Sequence, residues 1–301
     1  QDGNYVSNLT PAEYQGITEP HDLVLDLGDL ARVDSLFLFL QGWIFPTDAS
    51  INVNMSQSSA VKAVPPLLQV IDKKGNWQTA IENLGFPKGK NKTVVADLSG
   101  KFRSEDYRLR IRTNMQIYWD HIFFSTNVAG IQLRNLSLKP VAANLHFRGF
   151  SKVTRETPYS PHIPDYQTMA ANPQWRDLTG LYTKYGDVLP LLLASDSKYV
   201  IMNAGDELTL EFDAAQIPEL PSGWKRDFIF YNDGWLKDGD LNTAHGQTVE
   251  PLPFHGMSSY PYGPKESYPG DQEHATYGQK YNTRKVTTEA FKRLLFARMM
   301  E

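Results

Sequence analysis

Asp238, Asp240 and Asn242 in DGDLNT stand at alternate positions, the spacing with which a loop gathers oxygens around a hard cation such as calcium. The EF-hand pattern is incomplete, because Thr243 occupies position six, where glycine makes the sharp turn, and no glutamate stands at position twelve. The competing reading is a surface turn, in which Asp and Asn bond their own backbone. His245, His255, His274 and Glu250 are donor types for zinc or iron, yet their spacing fits no ligand motif. Imidazoles in a Tyr- and Pro-rich loop ordinarily bond backbone groups. Asp120, Asp233 and Glu250 are the carboxylates to try first for glycoside hydrolysis, which needs two about 5 to 10 Å apart. There is no G-x-S-x-G elbow, Gly-rich phosphate loop or H-E-x-x-H. The expectation is therefore no enzyme and no cofactor, with calcium the one cation whose spacing is partly met.

Binding residues are sparse in the first half of the chain. Trp43 and Phe45, in GWIFPTDAS, could stack on a sugar face, though an aromatic beside a buried strand is more often core. Arg108, Arg110 and Arg112 share one face of a predicted strand; the expected reading is a solvated face with acidic neighbours, the alternative a patch for an anionic partner. A net charge of -4 with both signs interspersed supplies no basic surface for nucleic acid. No apolar run reaches the roughly 18 residues of a membrane-spanning helix. The absence of cysteine excludes disulfides and thiolate chemistry. Gln1 in first place suggests a processed chain or a fragment whose signal lay upstream. Asn8, Asn54, Asn91 and Asn135 open N-x-S/T sequons at a frequency little above chance.

These residues need a scaffold, and the polarity pattern makes it β. After an irregular arm over residues 1–20, Leu23, Leu25 and Leu27 alternate with Asp22, Val24 and Asp26. Five apolar residues, Leu36 through Leu40, read as a central strand covered on both faces. Further strands are expected at 67–71, 93–97, 107–113 and 116–124, with a turn at Asp72–Asn76 and an extended segment resuming at Trp77. Beyond a boundary near Pro140, residues 181–194 read as an edge strand or extended packing segment broken by Pro190. Leu208, Leu210 and Phe212 are expected inward on a strand at 207–213, and residues 226–231 form the next strand.

From Gly223 to Arg284 the pattern changes. Eleven aromatics stand among prolines that exclude a regular helix, and the aromatic content excludes a disordered linker. The expectation is a long ordered excursion glued by Tyr and Phe onto the β scaffold. After it, Phe291, Leu294, Leu295 and Met299 recur at helical spacing, capped by Thr287 or Thr288, with Lys292, Arg293 and Arg298 off the stripe. Such a short helix needs a surface to dock on: its own domain by default, or a partner protein or an anionic membrane surface.

The pieces HDLVLDLGDLARVDSLFLFLQGW, LLQVIDKKGNWQTA and TVVADLSGKFRSEDYRLRIRTNMQIYWDHIFF resemble a galactose-binding-like, discoidin-type jelly roll over about residues 20–125. Nearly the whole chain, through GLYTKYGDVLPLLLASDSKYVIMNAGDELTLEFDA, GWKRDFIFYNDGWLKDGDLNTAHGQTVEPLPFHGMSSYPY and YNTR, resembles the C-terminal region of bacterial FG-GAP repeat, ASPIC/UnbV proteins related to cartilage acidic protein. The FG-GAP repeats and the ASPIC/UnbV segment themselves are missing here. The resemblance implies export to the periplasm or cell surface and carries over no catalytic motif. The sequence thus leads us to expect an all-β chain: a sandwich at 1–140, a second β-rich domain at 141–286 with the excursion at 223–284, and an amphipathic helix at 287–301. The expected function is non-catalytic contact with a protein partner or self-assembly, through Phe291, Leu294, Leu295 and Met299. A carbohydrate-binding module using Trp43 and Phe45, and a glycan-active enzyme, are the alternatives.

Overall fold

Alternating leucines and two strands buried on one face produce the first of two compact units, Gln1–Leu133 with Val153–Asp165; the second is Arg134–Lys152 with Tyr166–Glu301. The computed structural model describes residues 2–30, 35–126, 132–173 and 177–287. The chain is predominantly β, in antiparallel sheets. The amphipathic pattern at Phe291, Leu294, Leu295 and Met299 lies outside the described residues.

In chain order the first unit contains β1 (Ile17–Asp26), β2 (Phe37–Ile44), a short helix α1 (Ala49–Gln57), β3 (Leu67–Ile71), β4 (Trp77–Ile81), β5 (Lys92–Asp97), β6 (Arg108–Met115) and β7 (Ile117–Ser125). They make two sheets, β1-β6-β3-β4 and β5-β2-β7. Leu38 and Leu40 of β2 meet Leu68 and Val70 of β3 and Leu109 and Ile111 of β6 in one core, a sandwich-like arrangement. Each fully buried aliphatic contributes about 1.5–3 kcal/mol, which makes this core the unit's main source of stability.

The expected centrality of the Leu36–Leu40 run holds, since β2 lies between β5 and β7. Its second face is half-covered rather than buried: Phe39 stacks on Phe123 across the strands at 4.8 Å. The arm over residues 1–20 is not wholly irregular. β1 starts at Ile17, and a register shift between Ile17 and His21 hides the first part of the strand from period-two reading. Helix α1 also escapes periodicity, because Met55 alone among its residues is buried; the carboxylate of Asp48 caps it by accepting from Ile51 N at 2.8 Å. The arginine face has the acidic neighbours expected of it. Asp22 takes two bonds from Arg112, at 2.7 and 2.9 Å, while Arg108 pairs with Asp106 and Arg110 lies over the Trp77 ring at 4.7 Å.

Between residues 150 and 170, β9 (Phe150–Thr154) and β10 (Ile163–Ala170) pair as a ribbon, preceded by β8 (Ala142–Phe147). Neither β9 nor β10 has enough apolar alternation to be read from sequence. The second unit adds β11 (Gly180–Tyr182), β12 (Gly186–Asp187), β13 (Asp206–Glu211), helix α2 (Gln272–Tyr281) and β14 (Arg284–Val286). Strand β8 is flanked by β12 and β13, and β11 pairs with β14. Ala143, Leu145, Val188 and Leu191 pack with Tyr277 and Tyr281 of α2.

Four expectations are corrected in this unit. Pro190 does not sit in an extended segment; it opens a 3-10 turn at Leu189–Leu191, where a missing N–H costs nothing. Phe212 lies past the end of β13 and is exposed, although Leu208 and Leu210 face the core as expected. Residues 226–231 form no strand. The excursion also contains a regular helix, because α2 occupies its proline-free stretch and the Asp271 carboxylate caps it at Glu273 N and His274 N.

Candidate functional site

The excursion divides into a buried half and an exposed half, and the division follows what each aromatic finds to touch. Tyr277 and Tyr281 enter the core on α2, and the hydroxyls of Tyr268 and Tyr260 donate to Ser197 O and Pro251 O. By contrast every residue from Lys225 to Leu236 is exposed, Ile229 to 93% and Leu236 to 91%. Phe228, Phe230, Tyr231, Trp235 and Leu241 add to this surface. No backbone-to-backbone hydrogen bond joins residues 225–237 to another described residue. Exposed apolar side chains and unpaired backbone groups both gain by being covered.

Two anchors hold this strip to its unit. The first is polar: Asp233 Oδ2 accepts from the Ser195 hydroxyl and lies 3.0 Å from His255 Nε2. The other ring nitrogen of His255 is 3.5 Å from Ser197 Oγ, which accepts the His255 backbone N–H at 3.2 Å. Ser, His and Asp are the residue types of nucleophilic catalysis. Here the serine–imidazole contact is at the outer limit of a hydrogen bond, and water reaches the ring and the carboxylate, which are 47% and 40% exposed. The cluster therefore ties residue 233 to the loops at 195–197 and 255. The Ser195 bond, then His255, holds the Asp233 carboxyl below the usual range. That contribution is present above about pH 3.9 and is lost as pH falls through the lower folded value.

The second anchor is Lys237, whose Nζ donates to Val249 O at 2.9 Å and Glu250 O at 3.1 Å and lies 5.5 Å from the centre of the Tyr260 ring. Burial holds its ammonium below the ordinary lysine range, with Glu250 opposing the shift. Trp235 leans on the same Tyr260 ring at 5.7 Å. The loop that follows closes on Asp238 and Asp240, whose carboxylates accept from Asp240 N and Asn242 N at 2.9 and 2.8 Å. These are the self-bonded turns weighed against calcium at Asp238, Asp240 and Asn242. A Cβ on Gly246 would lie 2.3 Å from Asp240 O and 3.0 Å from Thr243 O. Gly246→Ala is expected to open this loop and cost about 1–3 kcal/mol, read as a lowered Tm with faster amide exchange at 238–246.

The remaining sequence candidates fall elsewhere. Trp43 is 2% exposed, stacked on Tyr118 at 5.1 Å and bonded through Nε1 to Tyr159 O at 2.8 Å. A sugar cannot reach its ring; Phe45 is half-buried and tilted against it. Asp120 belongs to the first unit and Asp233 and Glu250 to the second, with a Glu250 oxygen accepting from Leu252 N at 3.1 Å. His245 packs edge-on to Tyr260 and His274 bonds Asp271, its own helix cap. Among the described residues no group of three or more His, Asp or Glu side chains is placed to hold a metal ion, and no helix is long and apolar enough to cross a membrane.

A partly buried network holds β14 against β11. Arg284 lies over the rings of Tyr182 and Tyr185, at 5.4 and 4.3 Å, and donates to Thr183 O and to Asp206 Oδ2. Asp206 Oδ1 accepts the Tyr185 hydroxyl at 2.8 Å, and its Oδ2 accepts Asn203 N at 2.7 Å. Burial pushes the Tyr182 and Tyr277 phenols up to about 12. An unfolded tyrosine ionises near 10, so stability contributed by these phenols is present below about pH 10 and lost between 10 and 12. A spectrophotometric titration should show both ionising only as the fold is lost; ionisation near 10 with the fold intact would contradict their burial. Comparison with family models, curated proteins and solved structures finds no match to this chain.

Proposed function

We propose that this chain is a non-catalytic contact module that binds a protein partner through the strip at residues 225–241. The carrying observation is the strip itself: large apolar side chains exposed along a backbone that makes no backbone-to-backbone hydrogen bond with the described residues over 225–237, held at both Asp233 and Lys237. The partner surface is apolar with a basic rim, which would meet Asp227, Asp233, Asp238 and Asp240. The family resemblance of the sequence supports an exported location and a discoidin-type first unit as parts of the same reading. Burial of Trp43 takes away support for sugar binding there.

A photo-crosslinking residue at position 236, introduced in the native host, tests the reading. The expected result is one discrete protein adduct, absent when the same residue replaces Val24 on the exposed edge of β1. The captured protein, once purified, should bind the Ile229→Asp, Leu236→Asp double variant at least 10-fold more weakly, about 1.4 kcal/mol, with Tm unchanged. Equal adducts at both positions, or unaltered binding by the double variant, would remove the strip from the function.

A further inference from the structure

The two sheets of the first unit end in the edge strands β1, β4, β5 and β7, and they are not protected alike. The preceding arm bonds the start of β1, with Glu19 N donating to Thr10 O at 2.9 Å, and Pro20, Asp22 and Asp26 blunt the rest. The arm also reaches β7, where Val6 N donates to Trp119 O at 2.8 Å, and Arg103 Nη2 covers Thr79 O of β4. Strand β5 has no such guard.

Leu98 N donates to Leu36 O at 2.8 Å, and the unbroken register from Phe37–Asp97 to Gly42–Lys92 turns the backbone groups of every second residue toward β2. Those of Thr93, Val95 and Asp97 therefore point outward. No hydrogen bond from another described residue reaches their N–H and C=O groups. Side chains on this edge continue a row across the sheet: Val95 stands opposite Phe39, and Phe39 opposite Phe123, ring stacked on ring. The row is open to water, with Val95 54% and Phe123 44% exposed.

This edge is complementary to itself. A two-fold axis perpendicular to the sheet beside Val95 sets that residue opposite its own copy and Thr93 opposite Asp97, hydroxyl donor against carboxylate acceptor. Each opposed pair of outward residues exchanges two main-chain bonds. The apolar row then runs unbroken from Phe123, Phe39 and Val95 of one copy into the same residues of the other.

We infer that this chain forms a two-fold dimer through β5, the three-stranded sheets of two copies joining edge to edge. A second copy satisfies the outward backbone groups, the exposed Val95 row and the Thr93–Asp97 pairing at once. The surface lies in the first unit and does not depend on the strip at 225–241.

Sedimentation of the full chain over a range of concentrations reads the assembly, with dimer expected at the upper end. Val95→Lys sets like charges against each other at the axis and should weaken the dimer at least 10-fold, with Tm unchanged. Thr93→Lys, which faces Asp97 of the second copy, should retain or tighten it. The chain has no cysteine, so Val95→Cys gives a second measurement. Opposed residues of an antiparallel pair stand about 5.5 Å apart, within disulfide range. A linked dimer should form at least 10-fold faster from Val95→Cys than from Val24→Cys, a similarly exposed site on the guarded edge of β1. Monomer at every concentration, a dimer that Val95→Lys leaves intact, or equal oxidation rates would overturn the β5 dimer. A dimer lost in the Ile229→Asp, Leu236→Asp variant but kept in Val95→Lys would overturn it too, by assigning self-association to the strip.

Discussion

Asp206→Ala is expected to cost the second unit about 3 kcal/mol, because it takes away the buried carboxylate that a partly buried Arg284 is paired with. The Asp206 side chain is 1% exposed, and it serves Arg284, the Tyr185 hydroxyl and the Asn203 amide at once. Losing it removes the acceptor of three donors and loosens the β11–β14 pairing. Calorimetry should show a Tm lower by roughly 10 °C, at about 2–4 °C per kcal/mol for a unit of this size. Asp206→Asn keeps an acceptor and the shape, so its loss should be smaller. A loss below about 1 kcal/mol for Asp206→Ala would mean that the network is not a unit.

Trp43→Ala is expected to remove about 3–5 kcal/mol from the first unit, the usual cost of deleting a buried large aromatic. Its ring fills the space against Tyr118 and Phe45, and its N–H satisfies Tyr159 O. The backbone beside it has no slack: a Cβ on Gly42 would stand 2.3 Å from Tyr118 O, at the register shift between β2 and β7. Denaturant unfolding followed by Trp and Tyr fluorescence reads the loss, with Trp43→Phe retaining part of the packing. A variant that unfolds like the wild type would show that Trp43 is not core. Any loss of ligand binding by Trp43→Ala therefore has to be separated from loss of fold.

The strands of the sandwich were legible because burial imposes period two wherever one face meets a core, as at Leu23, Leu25 and Leu27 or Leu208 and Leu210. A register shift hides that period, which is why the start of β1 at Ile17 was not read from the sequence. Helix α1 and the β9–β10 ribbon bury too little apolar surface to leave a pattern. The site was half legible: the aromatic and proline content marked 223–284 as an ordered excursion, and the sequence located the aspartates within it. Which rings were buried and which exposed could not be read, since Tyr277 and Tyr231 differ in environment rather than in kind.

By itself, then, the sequence determined the β architecture, the place of the aromatic excursion and the shortage of catalytic spacing, all of which depend on neighbours close along the chain. Tertiary structure alone decided that Trp43 is core, that Asp233 meets His255 and Ser195, and that Phe228 to Tyr231 lie open. Those outcomes depend on groups tens of residues apart, whose approach is set by how whole sheets and loops pack and not by any local period.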